Sequence, residues 1–190
     1  MREVIDMGLR LKKFYFLCLL SGFTVSVFAA NPAPGDSTLL PEIILSGKKG
    51  GLANGADWSS ASLTGKVNLL FYVDPDKQKQ LQPLIAKLDS LHYPADRLGT
   101  TLILNTSATI IPGFVFRKKV AKRAKSDKNK SYVFDNKRIL VRDWKLIDDD
   151  INIVLFHKSG HVFYKHAGRV SNEVINTIIQ KIEHLLTKES

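Results

Sequence analysis

Cysteine is almost missing from this chain: Cys18 is the only one in 190 residues. It lies in an apolar run near the N-terminus, so no disulfide framework can be drawn and no Cys-x-x-Cys redox pair exists. Thiol chemistry would have to run through Cys18, because the thiolate is the reactive species. The other signatures of chemistry are missing too. The five histidines, His92, His157, His161, His166 and His184, never form His-Glu-x-x-His, so a zinc hydrolase is excluded on spacing. There is no Gly-x-Ser-x-Gly elbow, no glycine-rich phosphate loop and no Asp-x-Asp-x-Asp-Gly calcium loop. No internal repeat is visible. The longest apolar run, residues 14–28, is shorter than the ~20 residues a spanning helix needs.

That run instead has the form of a leader. Arg10, Lys12 and Lys13 precede FYFLCLLSGFTVSVF, and the run closes on Val27-Phe28-Ala29, a small-x-small cleavage pattern. Residues 1–29 are predicted to be a signal peptide, with Ala29 or Ala30 at the cut, Met1 or Met7 as the start, and residues 30–38 as a linker. A buried N-terminal helix is the alternative, and the one-sided placement of charge argues against it. A lipid-modified Cys18 is rejected because Leu17 stands where that signal wants a small residue. Cleavage would remove Cys18, leaving a cysteine-free exported protein held by its core alone.

Positive charge is in excess: 28 Lys and Arg against 18 Asp and Glu, a formal +10. Much of it is local, in RKKVAKRAKSDKNK at residues 117–130. Arg117, Lys118, Lys119, Lys122, Arg123 and Lys125 are candidates for an anionic-partner patch. A solvated helix face is the plainer reading. Nucleic acid fits poorly with a leader and with the lack of a helix-turn-helix or stacking-aromatic motif.

The patterning predicts strands at 39–45, 67–73, 100–105, 132–134, 139–141, 151–157 and 162–166. VNLLFYV at 67–73 is apolar on both faces, as a strand between two layers should be. Residues 47–58 read as a loop or weak hairpin, 59–64 are indeterminate, and 158–161 form a hairpin turn. Asp74 is the expected N-cap, with Pro75 at the first position, of a helix over 75–92 that Pro83 should kink. Residues 114–125 form a basic helix after an Ile-Pro-Gly turn at 111–113. Ser171 caps a last amphipathic helix. The order implies an α/β single domain: a mixed sheet with helices on both faces.

Three stretches resemble the thioredoxin-like superfamily in its exported, TlpA- and peroxiredoxin-type form: LTGKVNLLFYVDP, the hairpin INIVLFHKSGHVFYKHAG, and Pro83 as the kinking proline of the active-site helix. Within it, TTLILNTSATIIPGFVFRK and SYVFDNKRILVRDWKL resemble the YtfJ family of small periplasmic proteins, whose members lack an established biochemical role. The likeness covers most of residues 39–188. It implies a thioredoxin-like domain at 39–190 and a periplasmic location. It also implies where the redox machinery would sit. The spacing to Pro83 puts the Cys-x-x-Cys positions at Pro75 and Gln78, and the spacing to Gly160 puts the cis-proline at Ile151. These are degenerate redox positions.

The expectation is a redox-inactive, non-enzymatic module without cofactor that binds a protein partner or an anionic envelope component. The alternatives are a thiol oxidoreductase or peroxidase that retains Cys18, and a cytoplasmic regulator using the basic helix on nucleic acid. The implied topology also brings the loop Asp148-Asp149-Asp150 towards Asp74 and Asp76. These five carboxylates are candidate ligands for a hard cation, against the simpler reading of an N-cap and a solvated loop. Trp58 and Trp144 read as packing residues, and Asn105 as a satisfier of local backbone groups.

Overall fold

In this computed structural model, residues 38–108, 113–127 and 129–188 are described. The expected leader, Cys18, nearly all of the linker, and Ile111-Pro112 lie outside them. Val67–Val73 (β5) is buried at every position. It runs parallel to Leu98–Asn105 (β6), which runs parallel to Lys130–Asp135 (β7). On its other side β5 is antiparallel to Asn152–Phe156 (β8), which forms the hairpin with His161–Ala167 (β9). Short strands close both edges: Thr38–Leu39 (β1) on β9 and Gly50–Leu52 (β3) on β7. The seven-stranded order is β1-β9-β8-β5-β6-β7-β3, and Ile44–Leu45 (β2) pairs separately with Trp58–Ser59 (β4).

Alternation along β5 sorts its side chains into two layers. Val67, Leu69, Phe71 and Val73 pack against Gln82–Leu91 (α1), Gly113–Ser126 (α2) and Asn172–Lys188 (α4), through Leu84, Leu88, Phe116, Val120, Ile178 and Ile182. Leu70 and Tyr72 face Ile139–Trp144 (α3) and the β2–β4 pair, through Leu140, Trp144, Leu45 and Trp58. Helices thus cover both faces of a mixed sheet, as the sequence predicts. Among the described residues no helix is long and apolar enough to cross a membrane.

Five local expectations are corrected. The strand predicted at 39–45 is two strands in two different sheets, β1 and β2. Pro41 lies between them and cannot donate to a ladder. The single helix predicted at 75–92 is a turn at 75–77, a 3-10 turn at Gln78–Leu81, then α1. Pro83 opens α1 rather than kinking it, because the first turn has no use for the missing N–H. Asp74 is not an N-cap: Lys77 and Leu81 flank the two helical pieces, with no side-chain cap at either. The strand predicted at 139–141 is the first half of α3. The Asp135 carboxylate accepts from the N–H groups of Lys137 at 3.1 Å and Leu140 at 3.0 Å and turns the chain into helix.

Candidate functional site at the strand ends

Three parallel strands end in polar side chains on one line. The register sets Val73 beside Leu104, Leu104 beside Phe134, and Asn105 beside Asp135. Asp74, Asn105 and Asp135 therefore follow one another across the sheet at the carboxyl ends of β5, β6 and β7. This is the edge where open α/β sheets place ligands. All three are buried, with Asp74 1% exposed and the other two 0%.

Two of them are fully engaged. Asp135 accepts from the two backbone groups named above and from the Tyr72 hydroxyl at 3.4 Å. Burial, and then the Asp135 and Asp74 charges, push the Tyr72 phenol far above its ordinary range. Asn105 donates to Asp148 at 3.4 Å and accepts from the Ser107 hydroxyl at 2.5 Å. Asp74 differs: among the described residues neither of its carboxylate oxygens has a hydrogen-bond partner. Burial lifts its carboxyl above the usual carboxylate range. The nearby Asn105 side chain pulls it down, and the Asp149 and Asp148 charges push it up.

The loop before β8 does reach the segment after β5. Lys77 Nζ lies 3.1 Å from Asp149 Oδ1 and also donates to the Asp149 carbonyl. The bond from Lys77 holds the Asp149 carboxyl below its usual range. The other carboxylates turn to separate partners. Asp148 takes Arg138 at 2.8 Å, whose Nε also donates to the Ser107 hydroxyl at 2.9 Å. Asp150 accepts from the N–H of Ile151 at 2.7 Å. Asp76 is exposed. Among the described residues no group of three or more His, Cys, Asp or Glu side chains gathers as a metal site would.

At the positions the resemblance assigns to redox chemistry, Pro75 is half-buried in the turn and Gln78 opens the 3-10 segment. Ile151 is 0% exposed, its carbonyl accepting from Gly168 N–H at 2.9 Å. No cis peptide bond occurs among the described residues. The place is built of apolar packing and carboxylates.

Residues 42–185 match the profile of YtfJ_HI0045, a bacterial protein family of unknown function. The chain belongs to that family. It is 29% identical over 147 residues to an uncharacterized protein of Haemophilus influenzae, covering 76% of this chain and 78% of that one. It is 26% identical over 132 residues to the uncharacterized protein YtfJ of Escherichia coli, covering 68% and 72%. Among solved structures it is similar to the exposed lipoprotein thioredoxin Etrx1 of Streptococcus pneumoniae, with TM-score 0.53, 13% identity and coverage of 76% and 100%. It is also similar to BsSco, of the Sco family of cytochrome c oxidase assembly proteins, with TM-score 0.56, 15% identity and coverage of 80% and 95%. Likeness at this identity shows the fold: this YtfJ-family chain is thioredoxin-like.

The other candidate residues are accounted for by local contacts. In this YtfJ-family chain Trp144 is buried and donates to the Pro41 carbonyl at 2.8 Å, and Trp58 is buried beside it in the same layer. The hydroxyl of Ser159 bridges His157 Nδ1 at 2.8 Å and His161 Nδ1 at 2.9 Å within the hairpin turn. His166 meets the Arg169 carbonyl, His92 the Ser90 carbonyl, and His184 stacks on Phe163. The six basic residues of α2 are all exposed. Asp135 and Tyr72 were not singled out in the sequence. The legible signal was an acid following a predicted strand and a phenol hydroxyl inside a largely apolar one.

Proposed function

We propose that this YtfJ-family chain is an exported, redox-inactive thioredoxin-like protein that acts by recognition, binding a partner or an anionic envelope component. The observation that carries the reading is chemical. The strand-to-helix junction holds Pro75 and Gln78 where a dithiol would be, and the sequence has no cysteine after Cys18. A carboxylate or amide cannot take the part of a thiolate in disulfide exchange. The form of residues 1–29 supports export to the periplasm, with Cys18 removed in the process.

Three measurements on the protein recovered from its native host test this. Its N-terminal sequence should begin near Asn31, and cell fractionation should place it in the periplasm. It should show no turnover in disulfide-reduction and peroxide-reduction assays. Turnover by the processed chain, or a retained Cys18 that is oxidised during turnover, would overturn the reading.

A further inference from the structure

The basic residues of α2 divide into two sets. Arg117 stacks over the Phe134 ring at 4.6 Å and donates to Asn136 Oδ1 at 2.5 Å. Arg123 lies beside Tyr132, whose phenol is pushed up by burial and then by the Asp127 charge, with the Arg123 charge opposing that rise. These two arginines flank the buried stripe of Phe116 and Val120 and are occupied in holding α2 to β7. Lys118, Lys119, Lys122 and Lys125 point the other way. At 3.6 residues per turn they fall within an arc of about 120°, over roughly 10 Å of helix, opposite that stripe. All four are exposed, and none has an ion-pair or hydrogen-bond partner among the described residues. Elsewhere, Lys77, Lys130, Arg138 and Arg142 each meet an aspartate within 4 Å. No acidic residue occurs within α2 to neutralise the row.

Resting on the recognition reading above, we propose that the lysine row Lys118–Lys119–Lys122–Lys125 is the docking face and that its partner is an anionic phospholipid surface. Lysine is a compact, strongly hydrated charge without the planar fork that fixes a single carboxylate or phosphate. A row of free lysines on a convex helix suits a diffuse, flat field of negative charge. A stable protein interface needs buried apolar or aromatic anchors; among the α2 residues whose burial is described, Val115, at 49% exposure, is the one exposed large apolar side chain. Beside Lys125 lies an open groove of about 450 Å³ lined by apolar Leu52, Ala121, Ala124 and Tyr132 and also by polar Asn54 and Lys130. Apolar ground next to positive charge fits an amphiphile better than a polynucleotide backbone.

The test is co-sedimentation of the processed protein with phosphatidylcholine vesicles, with and without phosphatidylglycerol. Binding should require phosphatidylglycerol and should fade as salt shortens the screening length from ~10 Å at 0.1 M to ~3 Å at 1 M. Replacing all four lysines (K118Q, K119Q, K122Q and K125Q) should lower the partition coefficient by ~100-fold or more, since each basic residue near such a surface contributes about a factor of five. The control variant Lys79→Gln, Lys87→Gln, Lys145→Gln, Lys188→Gln removes the same charge elsewhere and should keep most of the binding. Matching circular dichroism and melting curves establish that both variants fold. Equal losses in the two variants, or no binding at low salt, would overturn the proposal. So would binding to polyglutamate or duplex DNA without binding to vesicles, which would name an acidic macromolecule instead. Thiol turnover in the earlier assays would remove the recognition reading without touching the vesicle result, so the two can fail separately.

Discussion

Among the described residues, Asp74 is the buried side chain left without a hydrogen-bond partner. A buried polar group without a partner is destabilising by roughly 1–3 kcal/mol, and native structures keep few of them. Because its folded-state pKa is raised, the folded chain holds the proton more tightly than the unfolded one. The part of the penalty that comes from the charge is absent below the unfolded value of about 3.9. It grows as pH rises from there towards the folded value, since stability falls wherever the native state binds more protons. Asp74→Asn should therefore melt higher than the wild type at pH 7, with the difference shrinking to nothing as pH falls below 4. Parallel melting curves for the two proteins across that range check it, and a constant difference would mean that the aspartate charge is not its source. The sequence made Asp74 conspicuous but assigned it the wrong task. An aspartate before Pro75 has the pattern of an N-cap, and only the 3-10 turn that follows takes the helix start out of its reach.

Among the elements, the β7–α3 junction is fixed by one side chain. Asp135 satisfies the Lys137 and Leu140 N–H groups and the Tyr72 hydroxyl. Asp135→Ala leaves these groups unpaired within the fold and should cost about 2–4 kcal/mol, read as a lowered urea midpoint. Asp135→Asn, which keeps an acceptor, should cost less. Pro83 gives a contrasting case. In a helix interior its removal would relieve ~3 kcal/mol, whereas at the first turn of α1 Pro83→Ala should be neutral or should destabilise by about 0.4–1 kcal/mol through added freedom of the unfolded chain. A marked gain in stability would contradict the observed helix start. Both junctions were misread because hydrophobic period does not resolve them. Ile139-Leu140-Val141 is too short for periodicity to separate strand from helix, and Leu81, Leu84 and Leu88, three and then four residues apart, fit a continuous helix across the change from 3-10 to α geometry.

On the scale of the whole molecule, one sheet between two unequal layers bears the stability. If the processed chain is cysteine-free, as proposed, dithiothreitol should leave its melting temperature unchanged, which a reduced and unreduced pair of scans would check. Much of this architecture was legible. The two-faced apolar run of β5, the β8–β9 hairpin and the amphipathic α4 are written in hydrophobic period, and hydrophobic period is a property of the chain itself. The missing dithiol was equally plain, because the absence of a residue needs no coordinates. Other features required the fold. Asp74, Asn105 and Asp135 lie far apart in sequence and become a row only when parallel pairing aligns three strand ends. The split of α2 into anchored arginines and free lysines depends on Tyr132 and Phe134 of a neighbouring strand and on Asn136 just after it. Which carboxylate finds a cation, and which is left alone, is decided by contacts across the sheet and its loops, and a linear pattern does not encode those distances.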